Sequence, residues 1–433
     1  MVIKINTKTE IMWILVALYL LKTYLLQPEL FFLVCVFTIG VYTIRKKTIV
    51  IPHIPGIMIY ITALIIATVI GMVKYPAILI ERDIFYEFFS VIYIFIGYYC
   101  FDYYKDRKKS LWKTACLILF ITSCVCLAKG MTSVSSGADF STFRQNFAQG
   151  VDSISFMIPI LIGKKYIFKE NTFSAFKDNV LIIIWITQVL LNLSRISIIN
   201  IILGLVVFII CGAYRHILNF KNSFRVIALV TVLVLAGVAF VNVMPDNATS
   251  RFTEKFSNSL TEISSENEYD SISSAQSDWR GYEINCAKEQ WSKSSIFEQL
   301  FGEGNGTLIS IHYIPDQWKD TVEIQNSKFG VTILHNTYYT LLIKGGLFAV
   351  IAFIAFILLN IRKSIKMLKN GSGENLLYAT IMILLLLTIT LDAYVIRTMM
   401  DKGSEMIALL LIGWINAKFN NLGRENTTYD EKN

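Results

Sequence analysis

The chain has 433 residues; 54% are hydrophobic, only 17% are charged, and the formal net charge is +8. Soluble domains carry about 25% charged residues, so a water-soluble globule is excluded and lipid is the main solvent. The mean hydropathy of +0.54 agrees.

Twelve apolar runs are long enough to cross about 30 Å of hydrocarbon as helices. In chain order they are 10–26, 28–44, 51–73, 84–101, 110–128, 151–168, 178–194, 196–213, 224–243, 333–358, 375–396 and 404–418. The expected fold class is therefore an all-α polytopic membrane protein. No cleavable signal is expected, because Ile11–Leu26 lacks a small-residue cleavage site and another span follows at once. Nine spans occupy residues 1–243, a long polar interval fills 244–330, and three spans with a tail occupy 331–433.

Cations near short loops stay on the cytoplasmic side. Five basic clusters qualify: Arg45–Lys47, Lys105 with Arg107–Lys109, Lys164–Lys165 with Lys169, Arg215 with Lys221 and Arg225, and Arg362–Lys363 with Lys366 and Lys369. With twelve spans all five fall on one side, together with both termini, and the long loop falls on the opposite, extracytoplasmic side. The positive charge thus reads as a topology signal, not as a nucleic-acid footprint, and no nucleic-acid partner is expected.

Within the loop, the set Ile284, Ala287 and Trp291 has helical spacing behind Asp278, which can cap the start. This predicts an amphipathic helix with Arg280 in its first turn. Arg251–Ile263 repeats the pattern, and the Ser/Glu-rich stretch Ser264–Ser277 between them reads as a mobile tether. The glycines of Phe301–Gly306 either expose N–H groups to an anion or form a plain loop. Six of seven cysteines fall in or beside apolar spans, which leaves Cys286 without a disulfide partner in the loop. His312 and His335 have no acidic cluster nearby, a poor zinc site, so no metal is expected.

Charge near lipid needs a reason, since an arginine at the membrane centre costs about 2.5–3.5 kcal/mol on insertion scales. Arg195 interrupts spans seven and eight on the side that cations avoid; it is either an interfacial turn residue or an anion ligand. Arg144, Arg280 and Arg397 fall on that same side. His335 sits where the chain re-enters the bilayer, followed by Asn336, Tyr338, Tyr339 and the pair Gly345–Gly346. It is either a boundary residue or a proton-exchanging or phosphate-binding group. Lys344, below it, either snorkels or faces the bundle interior.

The order of these features carries a resemblance. A Ser-Arg opening one span, a long loop with an Arg–x–aromatic helix and FGEGNG, then HNTYYTLLIKGG leading into a helix, is similar to the O-antigen polymerase and O-antigen ligase superfamily. The likeness covers mainly Leu181–Leu358; Lys344 departs from it, since the family often has an acidic residue before the glycine, and the Arg144 region matches loosely. The resemblance implies a fold like that of GT-C-type membrane glycosyltransferases, in a bacterial inner membrane with the loop in the periplasm. It implies an undecaprenyl-diphosphate-linked oligosaccharide as substrate, with no cofactor, and a chain-length regulator as a candidate partner.

On that resemblance, His335, Arg195 and Arg280 are the catalytic candidates, and Arg144, Asn336, Arg397 and Tyr339 the substrate-binding ones. The arginines would hold the diphosphate and His335 would deprotonate the acceptor hydroxyl or hold the diphosphate. The expected activity is polymerisation of O-antigen repeat units. Its alternatives are ligation of the polymer to lipid A–core and, from another class, flipping of the lipid-linked oligosaccharide. Transporters tend to show repeat symmetry, whereas the two halves here look unlike.

Overall fold

The computed structural model describes residues 15–19, 22, 27–47, 51–104, 108–135, 140–192, 194–218, 269–314, 323–325, 328–400 and 405–430. The expected span 224–243, most of span 10–26, the candidate helix Arg251–Ile263 and the basic residues Lys105, Arg107, Lys221 and Arg225 lie outside the described residues.

The described chain is mostly helical. Before the polar interval come α1 (Pro28–Lys46), α2 (Ile57–Lys74), α3 (Ala77–Tyr104), α4 (Lys108–Ser135), α5 (Phe140–Asn146), α6 (Val151–Tyr166), α7 (Ala175–Asn192) and α8 (Arg195–Tyr214). The interval contains α9 (Ile272–Ser277), α10 (Trp279–Lys293), α11 (Ile296–Phe301) and strands β1 (Ile309–Ser310), β2 (Glu323–Gln325) and β3 (Lys328–Val331). Helices α12 (Thr337–Asn370), α13 (Glu374–Val395) and α14 (Met406–Asp430) follow.

Seven of these helices, α2, α3, α4, α7, α8, α12 and α13, contain stretches long and apolar enough to cross a bilayer, as a polytopic membrane protein requires. Helix α1 adds a shorter apolar stretch, Glu29–Ile44. Helix α6 is buried continuously from Ser153 to Lys164, so it is a core helix wrapped by its neighbours. Helices α3 and α14 meet backbone to backbone, because a Cβ at Gly97 would collide with the Leu410 carbonyl and one at Gly413 with that of Ile94.

Element boundaries differ from expectation where charges are involved. Helix α3 starts at Ala77, not near residue 84, and so takes Arg82 and Asp83 into the helix that already held Glu87. Asp83 and Glu87 are tolerated there because both acids meet buried partners. Of the expected tether Ser264–Ser277, residues 264–268 lie outside the described residues, and 272–277 form α9, started by a reciprocal Ser271–Ser274 capping box and pinned by the buried Ala275. Strand β3 pairs antiparallel with both β1 and β2, placing Ile309 opposite Val331 and Ile324 opposite Phe329.

Side-chain contacts distinguish the two ends of the bundle. At one end Arg215 donates to the Lys369 and Gly371 carbonyls at 2.7 and 2.9 Å, and Lys418 reaches Glu374 at 3.2 Å. At the other, Asn200 on α8 donates to both Asp392 oxygens at 2.9 and 3.1 Å, and Asn336 donates to the Tyr394 carbonyl at 3.0 Å. This second end carries the folded loop.

Candidate functional site

Helix α10 is the pillar of the loop. Asp278 caps it by accepting from Gly281 N at 3.0 Å, and Tyr269 OH holds the other carboxylate oxygen at 2.6 Å. On its inner side, the Tyr282 hydroxyl accepts from the backbone N–H groups of His312 and Tyr313 at 2.6 and 2.5 Å. Gln290 bridges the Leu308 carbonyl, Glu303 and Ser310 N. The predicted helix is therefore present, and Arg280 sits half-buried in its first turn.

One turn further along α10, Glu283 is almost wholly buried and faces His335. Its carboxylate accepts from Trp279 Nε1 at 2.8 Å and from the His335 backbone N–H at 2.8 Å, and His335 Nδ1 lies 3.1 Å from both oxygens. A carboxylate can only accept, so Nδ1 carries the hydrogen and the neutral ring keeps its lone pair on Nε2. The His335 side chain remains partly exposed. A carboxylate that fixes the tautomer, behind a ring whose far nitrogen can take a proton, is the arrangement of an oriented general base.

Asn336 and Tyr339 have structural duties as well. Asn336 caps α12 by accepting from Tyr339 N at 3.2 Å while its amide ties the helix start to α13. Tyr339 packs against Ala287, Ile309, Leu334 and Ile343, where the loop rests on α12.

The arginines gather at the same end. Arg195 is the first residue of α8, behind the Ser194 cap. Arg144, on α5, is brought beside it because Asn192 donates to the Arg144 carbonyl at 3.2 Å. Burial pushes the Arg144 guanidinium below its ordinary value, and the positive charge of Arg195 adds to this; guanidinium nevertheless stays protonated at neutral pH. Two neighbouring like charges favour an anion between them. Arg397 lies half-buried just past α13, five residues beyond Asp392, and its Nε has no hydrogen-bond partner among the described residues. Asp392 is itself within hydrogen-bonding reach of the buried Glu405. Arg144, Arg195, Arg397 and His335 thus share one end of the bundle.

The glycine-rich turn does something the sequence did not suggest. Gly346 has φ 66° and interrupts α12, a conformation that glycine adopts without penalty. The break frees the carbonyls of Ile343 and Lys344, which accept instead from Glu303 N and Gly304 N at 2.9 and 3.0 Å. Asn305 N donates to the Ala67 carbonyl of α2 at 2.9 Å, and Gly306 N to Asp83 Oδ2 at 2.6 Å. Gly302, Gly304 and Gly306 all have positive φ, and each packs against backbone or side chains of the bundle. These N–H groups are consumed by protein acceptors, so the turn is a clasp inserted into the helix break. It is neither an anion cradle nor a plain loop.

Under the clasp lies a buried polar network. Lys344 faces the interior, where it pairs with Asp83 and donates to the Thr307 carbonyl at 3.2 Å. Asn305 donates to Glu87 at 2.7 Å and to Thr68 at 3.1 Å. An acidic partner for position 344 is thus supplied by α3.

Glu283 is the residue that sequence reasoning missed. Its one local signal was an acid at i+4 from Trp279; the structure adds that it lies in the buried run 281–284, where an unpaired carboxylate would be costly. Among the described residues no group of three or more His, Cys, Asp or Glu side chains is placed to hold a metal. No known protein-family model matches the chain, and no curated protein matches it significantly.

Proposed function

We propose that the chain is a membrane glycosyltransferase that joins polyprenyl-diphosphate-linked oligosaccharide repeat units at the extracytoplasmic face, the reaction of an O-antigen polymerase. The observation that carries this reading is the junction of His335 with Glu283, on the helix that also bears Arg280, at the bundle end where Arg144, Arg195 and Arg397 gather. A base and several fixed cations at one end of an apolar bundle suit a substrate with a lipid tail, a diphosphate and a sugar.

In this reaction an acceptor hydroxyl oxygen attacks the anomeric carbon of the donor. His335 Nε2 takes the hydroxyl proton, and the imidazolium that forms is stabilised by Glu283. The bond from the anomeric carbon to the diphosphate oxygen breaks with its electron pair on that oxygen. Arg195 and Arg280 stabilise the charge that develops there, and Arg144 and Arg397 widen the cationic patch. Attack opposite the leaving group inverts the anomeric centre. A lipid diphosphate is already a good leaving group, so no cofactor is invoked.

The test is the surface polysaccharide made by a strain whose only copy carries His335→Ala or Arg195→Ala, with the protein still present in the membrane. Loss of long chains with single-unit capped core supports polymerisation. Loss of all capping with accumulated lipid-linked polymer makes the chain a ligase instead. Accumulation of repeat units on the cytoplasmic side makes it a flippase, and unaltered full-length polysaccharide sinks the catalytic reading.

A further inference from the structure

Helix α11 (Ile296–Phe301) has its polarity turned the wrong way for a helix in water. Its polar side chains are used inward: Glu298 pairs with Lys74 at 2.7 Å, and Gln299 donates to the carbonyls of Trp291 and Ser294 at 3.3 and 3.1 Å. Its apolar side chains point out, Ile296 being 78% and Phe297 56% exposed, with Leu300 also exposed. Phe301 alone turns inward, its ring tilted against that of Phe348 on α12 at a centroid distance of 6.2 Å.

This outward edge is not an isolated patch. Lys74 is the last residue of α2, so the ion pair sets α11 level with the end of a bilayer-crossing helix. Below that level α2 exposes Ile65, Val69, Met72 and Val73, the last of them 85% exposed, and α12 exposes Leu347, Ile351 and Ile354. The apolar surface of α11 continues the lipid-facing surface of both helices. Both ends of α11 are fixed, by the Ser295–Glu298 capping box at its start and by the clasp after Gly302 at its finish. A rigidly held apolar edge beside a cation that can snorkel is what an interfacial segment requires.

We propose that α11 is a membrane-interface anchor, its Ile296–Phe297–Leu300 edge buried among the acyl chains of the leaflet in which α2 ends. The occupant is phospholipid; a second copy of the chain or another protein would be a different answer. The inference rests on the membrane-spanning architecture and is independent of glycosyl transfer. It gives the loop a second attachment, to lipid as well as to the bundle.

The test uses the full chain in native membranes, with the photo-crosslinking residue benzoylphenylalanine at Phe297 and, as a control, at Ser292 on the exposed side of α10. Mass spectrometry of the peptide is expected to find phospholipid adducts at position 297 and none at 292. In parallel, Ile296→Cys is expected to react with a membrane-impermeant maleimide at least about tenfold more slowly than Ser292→Cys, since acyl chains exclude the reagent. Each variant is first checked for a native elution volume in detergent. A cross-linked dimer, an adduct with another protein, absence of lipid adducts at 297, or equal reaction at the two cysteines overturns the proposal.

Discussion

Two acid–base pairs lie where the loop meets the bundle, Asp83–Lys344 between α3 and α12 and Glu283–His335 between α10 and the start of α12, and they are opposites. Asp83 and Lys344 are 0% and 1% exposed, covered by the clasp, and Lys344 spends a further hydrogen on a loop carbonyl. Glu283 and His335 are 3% and 38% exposed, so the acid is enclosed and the ring is open on one side. A sealed pair holds structure but cannot exchange a proton with anything outside. A pair open on the histidine side can do so while its acid keeps the ring in place. The seam between loop and bundle therefore contains one joint built for rigidity and one suited to chemistry.

The sealed pair should break most dramatically. Lys344→Met leaves Asp83 buried without its cation, and breaking a buried pair costs about 3–5 kcal/mol. Thermal unfolding in detergent is expected to show a large drop in midpoint and in folded yield, part of which Asp83→Asn restores in the double variant. A native midpoint for the single variant would mean the pair does not hold the clasp.

The open pair should fail differently. His335→Ala is expected to reduce turnover by about 10²–10⁴-fold, the range of a general base, while the unfolding midpoint stays near native. Comparable losses of stability at His335 and Lys344 would erase the distinction. A finer cut is Glu283→Gln, which weakens a charge-assisted hydrogen bond worth about 1.5–3 kcal/mol. Expected is a fall in kcat of about ten- to a hundredfold with KM unchanged, measured on a lipid-linked donor; an equal rise in KM would assign Glu283 to substrate binding.

The smallest effect concerns α11. Hydrogen bonds from Lys74 and then Ser295 hold the Glu298 carboxyl down at about 2, below its ordinary 4.5. A depressed acid contributes its full stabilisation above the ordinary value and loses it as pH falls toward the folded one. The hydrogen-exchange protection factors across 295–301, corrected for the intrinsic pH dependence of exchange, should accordingly fall between pH 5 and about pH 2–3. Glu298→Gln should flatten that dependence.

Much of the scaffold could be read from the chain. The Asp278 cap and the helix behind it, and the boundary at His335–Asn336, follow from local chemistry: a short acid before an apolar period, and a polar pair before a long apolar run. What was illegible depends on partners distant in sequence. The start of α3 was misplaced because Asp83 looks like a loop residue until Lys344, 261 positions away, is seen to meet it. Glu283 went unmarked because its spacing from Trp279 is the only local sign of it, and His335, which covers it, lies 52 positions away. Gly345–Gly346 was visible as a pair, but its purpose is clear only with residues 302–306 lying in the break.

That break has a consequence for how the protein comes into being. Helix α12 is one element by its hydrogen bonds on either side of Gly346, yet its first turns are indexed to the loop, not to the long rod below. The acceptors for the clasp come from α2, α3 and α12, regions made early and late in synthesis. The clasp beneath the entry to α12 is thus completed only by residues from both halves of the chain. A chain lacking either half lacks acceptors for the clasp, so this joint registers the completion of the bundle.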